Sequence, residues 1–468
     1  MSAPTQGQIV DIEAWRAERI AASEPPPIDR TEFERDADRI WYAPVFSRLQ
    51  GVVQVASAPR RIVFHNRYTH SVKVGQLGRR LAERLARMAV KDYDGADGAA
   101  AFLAWLGGLD SSVTEAVGLG HDLGHPPFGH HGETILNRLA GPGGFNGNAQ
   151  TFRVVSKLAV RDIDPVGLNL TRATLLGLVK YPWPRSHEPG RDVRWGYYAS
   201  EKPLWSRLLE SRPSGLAEFV GTGEAPSLEA CVMDWADDVT YAVHDVEDFF
   251  RAGLIPHQVL TTQDDVWSQI IEQGRRRPGS EIARMSDSRV EAYVGNLTRL
   301  LSVAFPIKQP FNGSRRHEAI LTLSASELIG RYMKAASLRV PSREDPLPLA
   351  IGEAERGEVA ILKELAWFFV ISRPGLAGIQ YGQARMLEFL FSHYLDALKR
   401  HPEGEAEAMQ DKGDRRILPV RAVEWVHDGE DATTVARDLV ASMEEDQVRG
   451  LFRRLTGIDP GSVIDSIV

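Results

Sequence analysis

Apolar residues recur at steps of three and four along most of this chain, which restricts it to packed helices. Val74, Leu77, Leu81, Leu85 and Met88 form one such stripe, because positions three and four apart share a helix face. A second stripe runs through Leu323, Leu328, Ile329, Tyr332 and Met333, and a third through Val435, Leu439, Met443, Val448, Leu451 and Leu455. The period-two alternation of a half-buried strand is nearly confined to GVVQVASAPRRIVF (51–64), which predicts one short hairpin. The expected class is therefore all-α with at most a small β-hairpin. Glycine and proline cluster at 141–148, 181–190 and 341–348, where loops are expected. Three regions are predicted. Residues 1–45, polar and interrupted by Pro25, Pro26 and Pro27, read as an N-terminal arm outside the core; 46–260 and 261–468 read as a central unit and a helical C-terminal region.

The chain has 468 residues, 43% of them hydrophobic, enough to bury a large core. No run of about 18 apolar residues occurs, so no membrane span is expected. The opening MSAPTQGQIVDIEAWRAERI mixes charges throughout and lacks the apolar centre of a signal peptide. Cys231 is the single cysteine, which excludes an intramolecular disulfide framework. A cytoplasmic protein without a membrane partner is the expectation. The formal net charge of −8 argues against a chain that coats nucleic acid. It leaves room for an anionic substrate, since a metal ion and a few convergent basic groups set the potential inside a pocket.

The segment GLGHDLGHPPFGHHGE concentrates His121, Asp122, His125, His130, His131 and Glu133. On a helix His121 and His125, four apart, would share one face. Pro126 and Pro127 would then end that helix, leaving His130 and Glu133 to follow a turn and fold back. Imidazole nitrogen together with carboxylate oxygen suits Mn²⁺, Fe²⁺, Co²⁺, Ni²⁺ or Zn²⁺. Two further strings complete the set. HNRYTHSVKV puts His70 at the head of the first apolar stripe with Arg67 before it, and MDWADDVTYAVHDVED spaces Asp237, Tyr241 and Asp245 at steps of four. That acidic stripe sits among Trp235, Val239 and Val243, so it is predicted to face inward, where carboxylates need a metal or a partner.

The order His…His-Asp…Asp resembles the HD superfamily. RYTHSVKVG, GHDLGHPPFGHHGE, GLNLTRATLLGLVKYPW, WGYYASEK and ADDVTYAVHDVED resemble, in the same order, strings of the deoxynucleoside triphosphate triphosphohydrolases within it. The resemblance implies an HD-domain helical fold with its catalytic core in 46–260. His70, His121, Asp122 and Asp237 match ligands of a divalent ion (Mn²⁺, Mg²⁺, Co²⁺, Fe²⁺ or Ni²⁺). His125 and His130 match phosphate-facing catalytic positions, His130 placed to protonate a leaving oxygen, and Glu133 matches the acid that orients it. Arg67 matches a phosphate-gripping arginine. Gln54 and Asp245 match residues on the sugar 3′-hydroxyl, and Tyr241 one lining the pocket. Arg373 and Tyr381 match a pair in which the arginine contacts phosphate and the ring packs on the 2′-carbon; Lys180 is a further phosphate candidate. The implied reaction converts a dNTP to deoxynucleoside and tripolyphosphate. Other HD phosphohydrolases, such as a 5′-nucleotidase or a guanosine tetraphosphate hydrolase, and a regulatory protein with a vestigial site, are the alternatives. Relatives form tetramers or hexamers, and some respond to dNTPs or single-stranded DNA. The sequence departs from the pattern in two places. Asp238 stands where relatives often carry a lysine or a second aspartate, the latter being the bacterial pattern and one that removes a positive charge from the pocket. DLVASMEEDQV (438–448) only partly resembles the bacterial string DYIAGMTDRYA.

Overall fold

The computed structural model describes residues 6–22, 29–54, 65–91, 102–104, 106–163, 166–212, 225–256, 265–277, 279–304, 309–341, 346–372, 374–400 and 418–458. The fold is helical. The elements that build the site are α1 (Gln6–Ala17), α2 (Glu32–Trp41), α3 (Arg67–Lys91), α4 (Ser111–Gly120), α5 (Gly129–Leu139), α6 (Gly147–Arg153), α7 (Arg172–Gly177), α8 (Leu228–Arg251), α9 (Arg315–Lys334), α10 (Glu353–Ala366), α11 (Pro374–Arg400), α12 (Ala432–Ala441) and α13 (Glu445–Leu455). Among the described residues the one sheet is an antiparallel pair, β1 (Ala336–Leu338) and β2 (Leu349–Ile351), in the register Ser337 opposite Ala350. The strands lie on either side of the proline-rich segment 341–348, of which 342–345 lie outside the described residues. Most of the hairpin predicted at 51–64 lies outside the described residues, and a single bridge joins Val53 to Asn66.

The first stripe does what its spacing implies. Val74, Leu77, Leu81 and Leu85 of α3 are buried against Val113 and Val117 of α4 and Val239 and Val243 of α8. At the crossing of α3 and α4 a Cβ on Gly118 would come 2.7 Å from the Gly75 Cα. The two backbones therefore touch, one turn past His70 and one turn before His121. The second stripe is rotated from its prediction: Leu321, Leu328 and Tyr332 face the core and Leu323 is exposed. The third is divided between α12 and α13, with the break at Ser442–Glu444.

The expected arm is a correction. Ile12 and Trp15 of α1 and Ile40 of α2 are buried in the main core, and Arg16 donates to Glu229 at 2.7 Å. The prolines at 25–27 lie outside the described residues. The apolar clusters also cross the expected boundary at 260. One runs from Ile12 to Val370; the other joins Phe128, Ile135, Leu136 and Phe145 to Leu387, Phe391, Val435, Leu439 and Leu451. The C-terminal helices thus grip α5.

Arg153, 1% exposed, ties these parts together. It donates to Asp438 at 2.7 Å, Glu201 at 2.6 Å and Glu430 at 2.7 Å. Replacing it with methionine strands the buried carboxylates of Asp438 and Glu201, so Arg153→Met is expected to lose about 3–5 kcal/mol of stability. A urea midpoint equal to the wild-type value would contradict this.

Candidate functional site

Two helix ends and one helix middle converge. α3 opens at Arg67 and carries His70 in its first turn; α4 ends at Gly120 with His121 as its cap; α8 supplies Asp237. Ligand-capable atoms of His70, His121 and Asp237 lie within 4.8 Å of one another. Asp237 Oδ1 is 2.8 Å from His70 Nε2 and 3.7 Å from His121 Nε2, and Asp122 Oδ1 is 3.5 Å from that same nitrogen. His121 Nδ1 donates to the Gly118 carbonyl at 2.7 Å, which fixes the tautomer and turns the Nε2 lone pair inward. That buried Nε2 has no hydrogen-bond partner among the described residues. Two imidazole nitrogens and two carboxylates around it fit a divalent cation of intermediate hardness.

The expected helical face of His121 and His125 is a second correction, because the helix stops before His121. Thr151 of α6 takes over the backbone there: its hydroxyl donates to the His121 carbonyl and accepts from the Gly124 N–H, both at 2.9 Å. Only glycine fits at 124, where a Cβ would sit 2.1 Å from the Thr151 nitrogen. The turn still brings His125 back, with Nδ1 2.9 Å from Asp122 Oδ1.

Both acids stay ionised. Burial opposes the charge of Asp122, but Arg67, His121 and His125 outweigh it and hold the carboxyl well below its usual range. At Asp237 burial is likewise overcome, by the hydrogen bond with His70 and by the charges of His121, His70 and Lys180. Arg67 is buried and donates from Nη1 to Asp122 Oδ2 at 2.6 Å, while its Nε and Nη2 have no partner among the described residues.

Beside this tetrad lies a second group. Ligand-capable atoms of His125, His130 and Glu133 fall within 4.8 Å of one another. His130 Nδ1 is 3.0 Å from Glu133 Oε2, and Glu133 Oε1 accepts the Gly147 N–H at 2.7 Å. Burial pushes the Glu133 carboxyl up, but the hydrogen bond and charge of His130, with His125 and Gly147, bring it down to about 2.

The inward acidic face of α8 is present. Tyr241 lies one turn before Asp245 on α8, and burial with the nearby Asp248 and Asp237 raises the Asp245 carboxyl well above its usual range. Asp245 Oδ2 and the Gln54 Oε1 are buried without partners among the described residues. Lys180 is paired with Asp234; burial opposes its charge, yet Asp234, Tyr181, Asp238 and Asp237 raise its pKa. Its ammonium is therefore already engaged behind Asp237. Tyr381 is 69% exposed on α11 rather than packed in a core, next to Gln380, whose carbonyl lies 2.8 Å from His131 Nε2. Arg373 lies outside the described residues.

Sequence reasoning missed Lys363 of α10, which donates to Asp238 at 2.6 Å. A lysine 125 positions away in the chain thus offsets the charge of Asp238. The signal was the second acid beside Asp237, half-buried on the same helix, where two adjacent carboxylates call for a counter-charge.

Residues 67–242 match the HD domain family. The chain is 33% identical over 459 residues to the deoxyguanosinetriphosphate triphosphohydrolase-like protein of Streptomyces coelicolor, covering 92% of this chain and 93% of that one. A protein of the same name from Corynebacterium efficiens is 30% identical over 97% of both chains. Another, from Shewanella, is 28% identical over 93% of this chain and 94% of its own. Fold, donor set and matched segment define a phosphohydrolase of the HD superfamily. Within that superfamily the chain belongs to the deoxyguanosinetriphosphate triphosphohydrolase-like family. None of the described helices is long and apolar enough to cross a membrane.

Proposed function

We propose that the protein hydrolyses deoxynucleoside triphosphates at the α-phosphorus, releasing deoxynucleoside and tripolyphosphate. The observation that carries the reading is the adjacency of two groups, the His70–His121–Asp122–Asp237 tetrad and the His130–Glu133 pair, with the unpartnered side of the Arg67 guanidinium beside them. In this reading the tetrad holds one divalent ion (Mn²⁺, Mg²⁺, Co²⁺, Fe²⁺ or Ni²⁺), which acidifies water toward neutral pH and offsets phosphate charge when bound. Arg67 uses Nη1 to hold Asp122 and keeps Nη2 for a phosphate oxygen, with His125 and Arg373 also on the phosphates. Water adds to phosphorus as the bond to the 5′-oxygen breaks. His130 gives its proton to that oxygen, and Glu133 holds the imidazole with Nδ1–H inward.

On the nucleoside side Gln54 and Asp245 take the 3′-hydroxyl. Their unpaired buried oxygens support this. Tyr241 lines the pocket, and the Tyr381 ring packs on the 2′-carbon, which leaves no space for a ribose 2′-hydroxyl. Lys180 acts on the phosphates only at a distance, through the field it shares with Asp234 and Asp237. The same reading has the enzyme in the cytoplasm as a tetramer or hexamer, with a dNTP or single-stranded DNA as effector.

The test is incubation of the purified protein with each dNTP and each NTP in Mg²⁺, Mn²⁺ or Co²⁺, with products separated by anion exchange. Tripolyphosphate and free deoxynucleoside are expected, with ribonucleotides poor substrates. Orthophosphate or pyrophosphate as the released species overturns the reading in favour of another HD phosphohydrolase.

A further inference from the structure

Glu445, the first residue of α13, is 3% exposed and has no part in the roles above. Its Oε1 accepts the backbone N–H of Val53 at 3.1 Å and that of Phe128 at 3.3 Å. Its Oε2 accepts from Arg449 at 2.8 Å, and the Arg449 guanidinium also lies 5.4 Å from the Phe128 ring. Val53 immediately precedes Gln54. Phe128 immediately precedes α5, which carries His130 and Glu133, and it holds a left-handed φ of 66° that a bulky residue adopts only when its surroundings enforce it. One carboxylate thus fastens the backbone on both sides of the pocket.

The same junction holds the turn between them. Arg48 donates from Nη2 to the carbonyls of Leu123 and His125 at 2.9 and 2.8 Å, and from Nη1 to those of Ala441 and Met443 at 3.2 and 3.1 Å. Gly51 lies against the adjacent Glu444, whose carboxyl a Cβ would meet at 2.6 Å. An apolar side chain would fill the Glu445 site without burying a charge. It would not provide two directed acceptor bonds to separate segments.

We propose that Glu445 is a positioning residue, the centre of a clasp at 441–445 that fixes Gln54 relative to His130. Sugar recognition and leaving-group protonation then share one rigid frame. The inference rests on the triphosphohydrolase reading, in which Gln54 contacts the 3′-hydroxyl.

The test compares kcat/KM for a dNTP with that for its 2′,3′-dideoxy analogue in wild type, Gln54→Ala, Glu445→Ala and Glu445→Gln, with bound metal measured in each. A merely structural role lowers both rates together and leaves the ratio alone. Wild type is expected to discriminate and Gln54→Ala to lose discrimination. Glu445→Ala is expected to lose about 10-fold of the ratio at unchanged metal content, and Glu445→Gln, which keeps an acceptor oxygen for both amides, to recover most of it. A Glu445→Ala ratio equal to wild type, with Gln54→Ala flattened, overturns the clasp. A ratio indifferent to Gln54→Ala overturns the sugar reading instead. The clasp is then judged by hydrogen exchange, and amides of Val53 and Phe128 no faster in Glu445→Ala than in wild type overturn it. Should that variant fail to fold, Glu445→Asp, one methylene short of both amides, carries the same expectations.

Discussion

Asp237→Ala is expected to lower dNTP turnover by on the order of 1,000-fold, a loss of about 4 kcal/mol at the transition state. Asp237 Oδ1 stands between the two histidines, 2.8 Å from one ring nitrogen and 3.7 Å from the other. No neighbour replaces it. Asp122 is already committed to Arg67 at 2.6 Å, and Asp238 is turned away to Lys363. The variant therefore keeps two imidazoles and one shared carboxylate, too few to hold a divalent ion firmly. A readout independent of turnover follows from mass action, because an ion that binds only the folded chain raises its melting temperature. Wild type stripped with chelator should lose activity and regain both activity and melting temperature on addition of Mn²⁺. Asp237→Ala should regain neither. Full turnover in Asp237→Ala or His121→Ala would remove the metal assignment altogether.

Much of this site was legible because its residues come as short strings whose local geometry is nearly fixed. His70 follows Arg67 within one helical turn, and Asp237, Tyr241 and Asp245 share a face by spacing alone. What the strings hide is how they are held. The end of α4 at Gly120 depends on the Thr151 hydroxyl, thirty residues on, so a periodicity argument ran the helix through His125. Lys363 finds Asp238 only after α10 packs on α8. DLVASMEEDQV reads as a poor copy of a family string, yet Asp438 and Glu445 are the two of its acids that anchor Arg153 and the Phe128 turn. The N-terminal segment misled for the opposite reason. Its prolines dominate by composition, whereas the burial of Ile12 and Trp15 in the main core marks where α1 docks. Short-range order was readable; long-range partnership was not.

His130→Ala is expected to lower kcat for dNTP hydrolysis by about 10²–10⁴-fold, the usual range for a lost general acid. The geometry behind this is the fixed imidazole. Glu133 accepts from Nδ1 at 3.0 Å and is itself pinned by the Gly147 N–H at 2.7 Å, which leaves the other ring nitrogen for the substrate on an imidazole that is 72% exposed. Because Glu133 titrates at about 2, its carboxylate stays charged throughout the working range. Glu133→Gln keeps the shape but frees the tautomer, and should lose about 10–100-fold. The depressed carboxyl also makes a stability prediction. Its contribution is complete above the ordinary value of 4.5 and disappears as pH falls toward about 2. Glu133→Gln should therefore lack that part of the acid unfolding curve. Leaving-group chemistry separates the acid from the metal ligands. The deoxynucleoside 5′-oxygen must be protonated to depart, whereas a p-nitrophenolate leaves unaided. With bis(p-nitrophenyl) phosphate as substrate, His130→Ala should turn over within a few-fold of wild type while Asp237→Ala remains inactive. If His130→Ala loses both substrates equally, His130 is not the acid, and its pairing with Glu133 serves only to hold the mouth of the site.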